Sequence, residues 1–206
     1  MTILKNLRNV SCILSFISIL SIFIFVSFVS ASNILKISPD QLITYDGTDK
    51  IELSVTLLLT DKFKNYTWDA PTGRPYTLAL GDSLSKNAEI LCKKVFHKVT
   101  LSSGTEDNVE SDLAFTPEVV FLDKTQAAFS SQMVEMEIRV LWKLTNTSGK
   151  IVWIDTIKGF GREKMGGPFS FDKNTKKQIR MAMGDMFKNT YNALFIAAKY
   201  LDKNLY

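Results

Sequence analysis

The stretch Met133-Val134-Glu135-Met136-Glu137-Ile138-Arg139-Val140-Leu141-Trp142-Lys143-Leu144-Thr145 decides the fold. Val134, Met136, Ile138, Val140, Trp142 and Leu144 fall on one side of it; Glu135, Glu137, Arg139 and Lys143 mark the other. Alternation at period two is the pattern of a strand with one buried face. Asn146 to Gly149 reads as a turn and Ile151 to Phe160 as the return strand, so residues 133–160 form a long hairpin. A loop of all four turn residues sets Trp142 opposite Trp153, Leu144 opposite Ile151 and Glu137 opposite Lys158. The charge match favours that register. A shorter loop with Gly149 in a bulge sets Trp142 opposite Ile154.

A hairpin with one apolar face needs a cover. Two segments can supply it. Leu80, Leu84, Ala88, Leu91 and Val95 recur at three- and four-residue steps and predict a helix over about residues 78–96. Ile179, Met183, Met186, Thr190, Leu194, Ala197 and Leu201 repeat in the same way and predict a long helix over about 174–203, with Gly184 as a bend or a close contact. Short strands are expected at Ile34–Ser38, Leu42–Tyr45, Ile51–Thr60, Val99–Leu101 and Pro117–Phe121, with Asp46-Gly47 as a turn. The segment Asp61–Tyr76 reads as an irregular connection that carries Tyr66 and Trp68. The fold class is α+β: an antiparallel or mixed sheet covered on one face by the two helices.

The first 31 residues give an address. Lys5 and Arg8 precede an apolar-and-serine run from Ile13 to Val29, and Val29-Ser30-Ala31 supplies small residues where a processing enzyme cuts. This is the layout of a secretory signal peptide. The run also reaches the roughly 17–25 residues that span a bilayer, so an uncleaved anchor is the alternative, with membrane contact through residues 13–29. Residues 32–206 then form one exported domain, periplasmic or extracellular.

Composition excludes several classes. The net charge of +4 includes Lys5 and Arg8 of the leader, and the pI of 8.9 is mild, so no nucleic-acid partner is expected. The short basic cluster Lys173–Lys177 reads as a solvated helix face. Beyond the leader the one cysteine is Cys92. It cannot form an internal disulfide and suits a buried apolar position. A zinc cage takes about four N/S ligands, and with His97 as the one histidine no metal site is expected. Cys92 and His97, five positions apart, do not face each other on a helix.

No cofactor and no catalytic set is expected either. Gly159-Phe160-Gly161 lacks the rest of a phosphate-binding motif, and Gly166-Gly167-Pro168 reads as a connector. Asp155 falls on the apolar face of the hairpin in the favoured register, which makes it a candidate perturbed carboxylate. Tyr66 and Trp68 are candidate interface residues, since aromatics dominate contact hot spots.

Several motifs together resemble a known group. Leu78-Ala79-Leu80-Gly81-Asp82-Ser83-Leu84 with Asn87-Ala88, closing at Val95-Phe96, is one. Phe115-Thr116-Pro117-Glu118-Val119 and Thr147-Ser148-Gly149-Lys150-Ile151-Val152-Trp153 are others, followed by the Gly-x-Gly and the long last helix. Over roughly Tyr76 to Leu201 the chain resembles small bacterial outer-membrane-associated lipoproteins of the lipopolysaccharide-assembly and ABC-transport auxiliary types. The resemblance implies a non-enzymatic role with an envelope protein partner, in assembly or transport. One departure is plain: those proteins carry a lipidated cysteine after the leader, and here none follows the apolar run. An alternative role is binding a lipid or other apolar ligand between helices and sheet.

Overall fold

The computed structural model describes residues 33–42, 44–45, 49–70, 75–103, 111–126, 133–164 and 171–205. The chain divides into two units, Met1–Asn33 and Ile34–Tyr206, and apart from Asn33 every described residue belongs to the second. The leader, the Asp46-Gly47 turn and the connector at 166–168 lie outside the described residues. Among the described residues no helix is long and apolar enough to cross a membrane.

The hairpin is there, and longer than expected: β7 runs Met133–Asn146 and β8 Ile151–Lys164. Its register differs from both expectations. Trp142 sits opposite Asp155, Leu144 opposite Trp153 and Arg139 opposite Lys158. The turn explains why. Asn146 N–H donates to Lys150 O at 3.0 Å, Gly149 takes a φ of 75°, and Thr145 pairs with Ile151. Val152 is then extra, a β-bulge, and every later pair shifts. Relative to the favoured register the shift is two residues, so the faces are unchanged. The Glu137–Lys158 pairing is lost; Glu137 bonds Arg139 of its own strand at 2.7 Å instead.

β7 pairs on its other side with β6, Leu113–Gln126, which is much longer than the brief strand expected around Pro117. β6 runs parallel to β2, Ile51–Leu58, only from Leu113 to Phe115. Pro117, which cannot donate a ladder bond, lies just past the last of those pairs. β2 also pairs in parallel with β5, Phe96–Ser102. The five-stranded order is β5-β2-β6-β7-β8, a mixed sheet.

Two helices cover one face of this sheet: α2, Gly81–Val95, and α3, Phe171–Leu205. α3 lies on β7, β8 and β2; α2 packs against α3, β5 and β2. A second, three-stranded sheet contributes Leu35, Tyr76 and Leu78 to the same core. It has the order β1-β4-β3, with β1 Asn33–Lys36, β3 Thr67–Asp69 and β4 Tyr76–Ala79. Leu78 therefore belongs to β4 and not to the helix. Tyr76, Leu78 and Leu80 are buried at period two, and Leu80 also falls on the helical stripe with Leu84. The expected connection 61–76 contains β3 and a short helix, α1, Asp61–Lys64, capped by the Thr60 side chain. Leu42 and Tyr45 are not in a strand. Leu42 N–H donates to Asn87 Oδ1 at 2.9 Å and the Tyr45 ring meets Tyr191 at 4.9 Å. Lys124 of β6, half-buried, stacks over Phe171 at 4.7 Å and Tyr76 at 5.4 Å, joining β6, α3 and β4.

The core centres on Trp142, fully buried between Phe115, stacked at 5.0 Å, and Phe187 of α3, edge-on at 6.0 Å. The closest contact between layers is made by glycines. A Cβ on Gly159 would overlap Ala182 O and Met186 N, and one on Gly161 would overlap Gln178 O. Gly-x-Gly thus lets the backbone of α3 rest on β8. A similar overlap with Lys64 O makes Gly81 the residue that admits α1 beside the start of α2.

Gly159→Ala is expected to lower unfolding free energy by about 3 kcal/mol, the upper end of overpacking costs. Gly149→Ala, with nothing within 4 Å and only a left-handed φ to strain, is expected to cost about 1 kcal/mol. Urea unfolding of both variants checks the ranking. A second expectation concerns acid. Asp112 Oδ2 accepts from Ser54 N–H at 2.7 Å and Ser54 Oγ–H at 2.6 Å, joining β2 to the start of β6. These bonds hold its carboxyl below the usual carboxylate range. A depressed folded value adds stability at neutral pH that is lost as pH falls from about 4 through that value. Asp112→Asn is expected to show a shallower acid-side loss in unfolding curves taken across that window.

Candidate interaction surfaces

The residues singled out from sequence are not brought together. Trp68 lies in β3 with its ring edge-on to Tyr76 at 6.0 Å, half-buried. Tyr66 precedes it; its carbonyl accepts from Leu80 and Gly81 N–H, and burial raises its phenol above the ordinary value. Tyr66 also lines a small cleft of about 220 Å³ between α1 and β6 that the Lys62–Glu118 ion pair borders. Both rings pack on the core cluster. Cys92 is fully buried in α2, its thiol pushed up by burial, while His97 is exposed on β5. Among the described residues no cluster of three or more His, Cys, Asp or Glu could hold a metal.

Asp155 stands opposite Trp142 but is exposed, and its Oδ1 accepts from Thr156 N–H at 2.7 Å. That bond matters because β8 is the edge of the five-stranded sheet. An edge strand offers unpaired backbone groups to any passing strand. α3 covers the later part of this edge with side chains. Asn189 Nδ2 donates to Lys158 O at 3.2 Å, Asp185 Oδ2 accepts from Phe160 N–H at 3.1 Å, and Asn174 Nδ2 donates to Lys164 O at 3.4 Å. Asp155 guards Thr156. These helix bonds begin at Lys158 and leave Ile151 to Asp155 outside the stretch they cover. There Ile151 and Ile154 are 47% and 53% exposed.

The second surface is the outward face of α3. Lys173, Lys177, Arg180, Gly184 and Lys188 follow one another at three- and four-residue steps, so they share a side of the helix, on which the lysines are exposed, Arg180 is half-buried and Gly184 is buried. They line an open trough of about 950 Å³ together with the half-buried Leu42 and Phe160. Lys176 and the 43%-exposed Met181 also border it, as do Asp172 and Asp185. Lys177 bonds Glu163, and Arg180 bonds Ser38 O at 3.3 Å and lies 4.0 Å from Asp40. Among the described residues Lys173, Lys176 and Lys188 make no ion pair. The bland sequence reading of Lys173–Lys177 missed this trough because it stopped at the cluster. The cations continuing at helical steps to Lys188 were the available signal.

No family model matches the chain, and no curated protein matches it in sequence. The architecture is a known one. A Xanthomonas campestris protein of the DUF330 family superposes with a TM-score of 0.56 at 11% identity, over 84% of this chain and 99% of that one. The two share a fold. A minor lipoprotein from Acinetobacter baumannii, also 11% identical, covers 74% of this chain and 96% of its own, with a TM-score of 0.45. That score is below the level at which a common fold is argued.

The raised thiol of Cys92 and its burial lead to one expectation. A maleimide should leave Cys92 of the folded protein unmodified while labelling it promptly in urea. Fast labelling without denaturant, read by mass, would mean that α2 does not seal this position.

Proposed function

We propose that this chain is an exported, non-enzymatic protein of the cell envelope that works by contact with another protein, in assembly or transport. The observation that carries the reading is the uncovered stretch of β8. Ile151–Asp155 combines edge-strand backbone with two exposed isoleucines, ahead of the stretch of the strand that α3 side chains bond. Strand addition at such an edge draws affinity from main-chain bonds and specificity from alternate side chains. The leader in the sequence and the resemblance to envelope lipoproteins support the address. The fold shared with a DUF330 protein is compatible with it.

The second reading is binding of a lipid or other apolar ligand. The trough on α3 favours it, but not in the place expected. Where Gly159 and Gly161 meet α3 the two layers touch through their backbones, which leaves no ligand-sized space between them at that crossing. An apolar ligand would sit on the outward side of the helix.

A photoreactive residue at Ile154, in the protein exported by its source cells, tests the first reading. One adduct of defined mass with an envelope protein is expected. It should be missing with the probe at Thr125 and lost on Ile151→Lys. Recovery of the protein as an uncrosslinked monomer at every position would sink the reading.

A further inference from the structure

We propose that the trough on α3 is a docking surface for the anionic headgroups of a membrane. This surface is separate from the β8 edge, and the proposal stands whether or not a protein partner binds there. Charge favours this. Five cations border the trough against two acids, Asp172 and Asp185, and Asp185 is engaged by Phe160 N–H. Of the five cations, three carry no ion pair among the described residues, and two of these, Lys173 and Lys188, are exposed while Lys176 is half-buried.

The mixture of apolar and cationic groups points the same way. Met181 is exposed beside the cationic row, and the half-buried Phe160 and Leu42 also line the trough. A site for a small soluble anion has no use for apolar margins. A helix that lies against a bilayer surface does: its apolar groups enter the headgroup boundary while lysines reach the phosphates along it. Length points the same way. From Lys173 to Lys188 the row extends about 22 Å along the helix axis. That is a span for several headgroups side by side and not for one.

The attraction belongs to a known regime. Each lysine or arginine near an anionic surface adds a modest increment that salt weakens. Three free cations plus Met181 therefore predict reversible, salt-sensitive adsorption and no insertion.

The test is cosedimentation of the protein, expressed with its own leader and purified from the exported fraction. One set of vesicles is phosphatidylcholine; the other is phosphatidylcholine doped with phosphatidylglycerol. The reading is the difference between the two sets, since a retained apolar leader would insert into both. At low salt at least tenfold stronger binding to the doped vesicles is expected, falling toward the phosphatidylcholine value in high salt. The double variant K173E/K176E should lose at least tenfold of that binding, and Met181→Ser should lose a smaller part. Lys150→Glu, at the distant hairpin turn, should lose none. Circular dichroism and unfolding curves check that each variant is folded. Equal binding to both vesicle types, or an unchanged affinity in K173E/K176E, overturns the proposal. Displacement by inorganic phosphate at matched ionic strength would also overturn it, by assigning the trough to a free anion.

Discussion

The structure depends on one contact: the backbone of α3 lying directly on β8 at Gly159 and Gly161. Two strand residues advance about 6.6 Å and four helix residues about 6 Å, so the two elements can stay in step. Gln178 and Ala182 meet Gly161, and Ala182 and Met186 meet Gly159. As residue numbers rise along the strand they fall along the helix, which makes the pair antiparallel. Any side chain at either glycine would hold the helix off the sheet. Phe187 would then lose its seat on Trp142, and the buried row Ile179, Met183, Met186 would lose its floor. Helix burial is worth roughly 1.5–3 kcal/mol per large side chain, so a gap opened at two positions would be felt along the whole interface.

The same contact arranges both surfaces. With one side of α3 pressed to the sheet, the opposite side has to face outward, and there Lys173, Lys177, Arg180 and Lys188 align. The helix follows β8 only as far as Asn189 against Lys158. Beyond that Tyr191 turns to Tyr45, and Leu194 and Ala198 are buried in the rest of the core. The first residues of β8 precede the last of those bonds, and Ile151 and Ile154 stay exposed. Asp155 fits this picture as a guard on an edge N–H.

Much of this architecture was legible in sequence because it rests on periodicity. β7 announced itself through strict alternation, and α3 through apolar residues at helical steps. What escaped was local geometry. The register of β8 turned on Val152, one residue too many after a turn whose form depends on Gly149. The start of α2 was obscured by Leu80, which fits both the helical stripe and the period-two burial of Tyr76 and Leu78; Leu78 is in a strand because β3 pairs with it there. The length of β6 was hidden by Pro117, a residue that ordinarily argues against an inner strand and is tolerated here because β2 has already diverged.

Gly159-x-Gly161 shows the limit of motif reading most directly. Glycines at this spacing invite a nucleotide-loop interpretation, and rejecting it leaves them as mere flexibility. Neither view asks what lies above them. Their meaning is set by Gln178, Ala182 and Met186, residues near in space and distant in sequence. The cationic row is the complementary case. Its residues are local and its period was visible, but whether that side faced the sheet or the solvent was decided by where the helix touched down. The glycines decide that. A packing constraint on one side of α3 is therefore also the determinant of which charges the protein presents, and the surface on the far side follows from it.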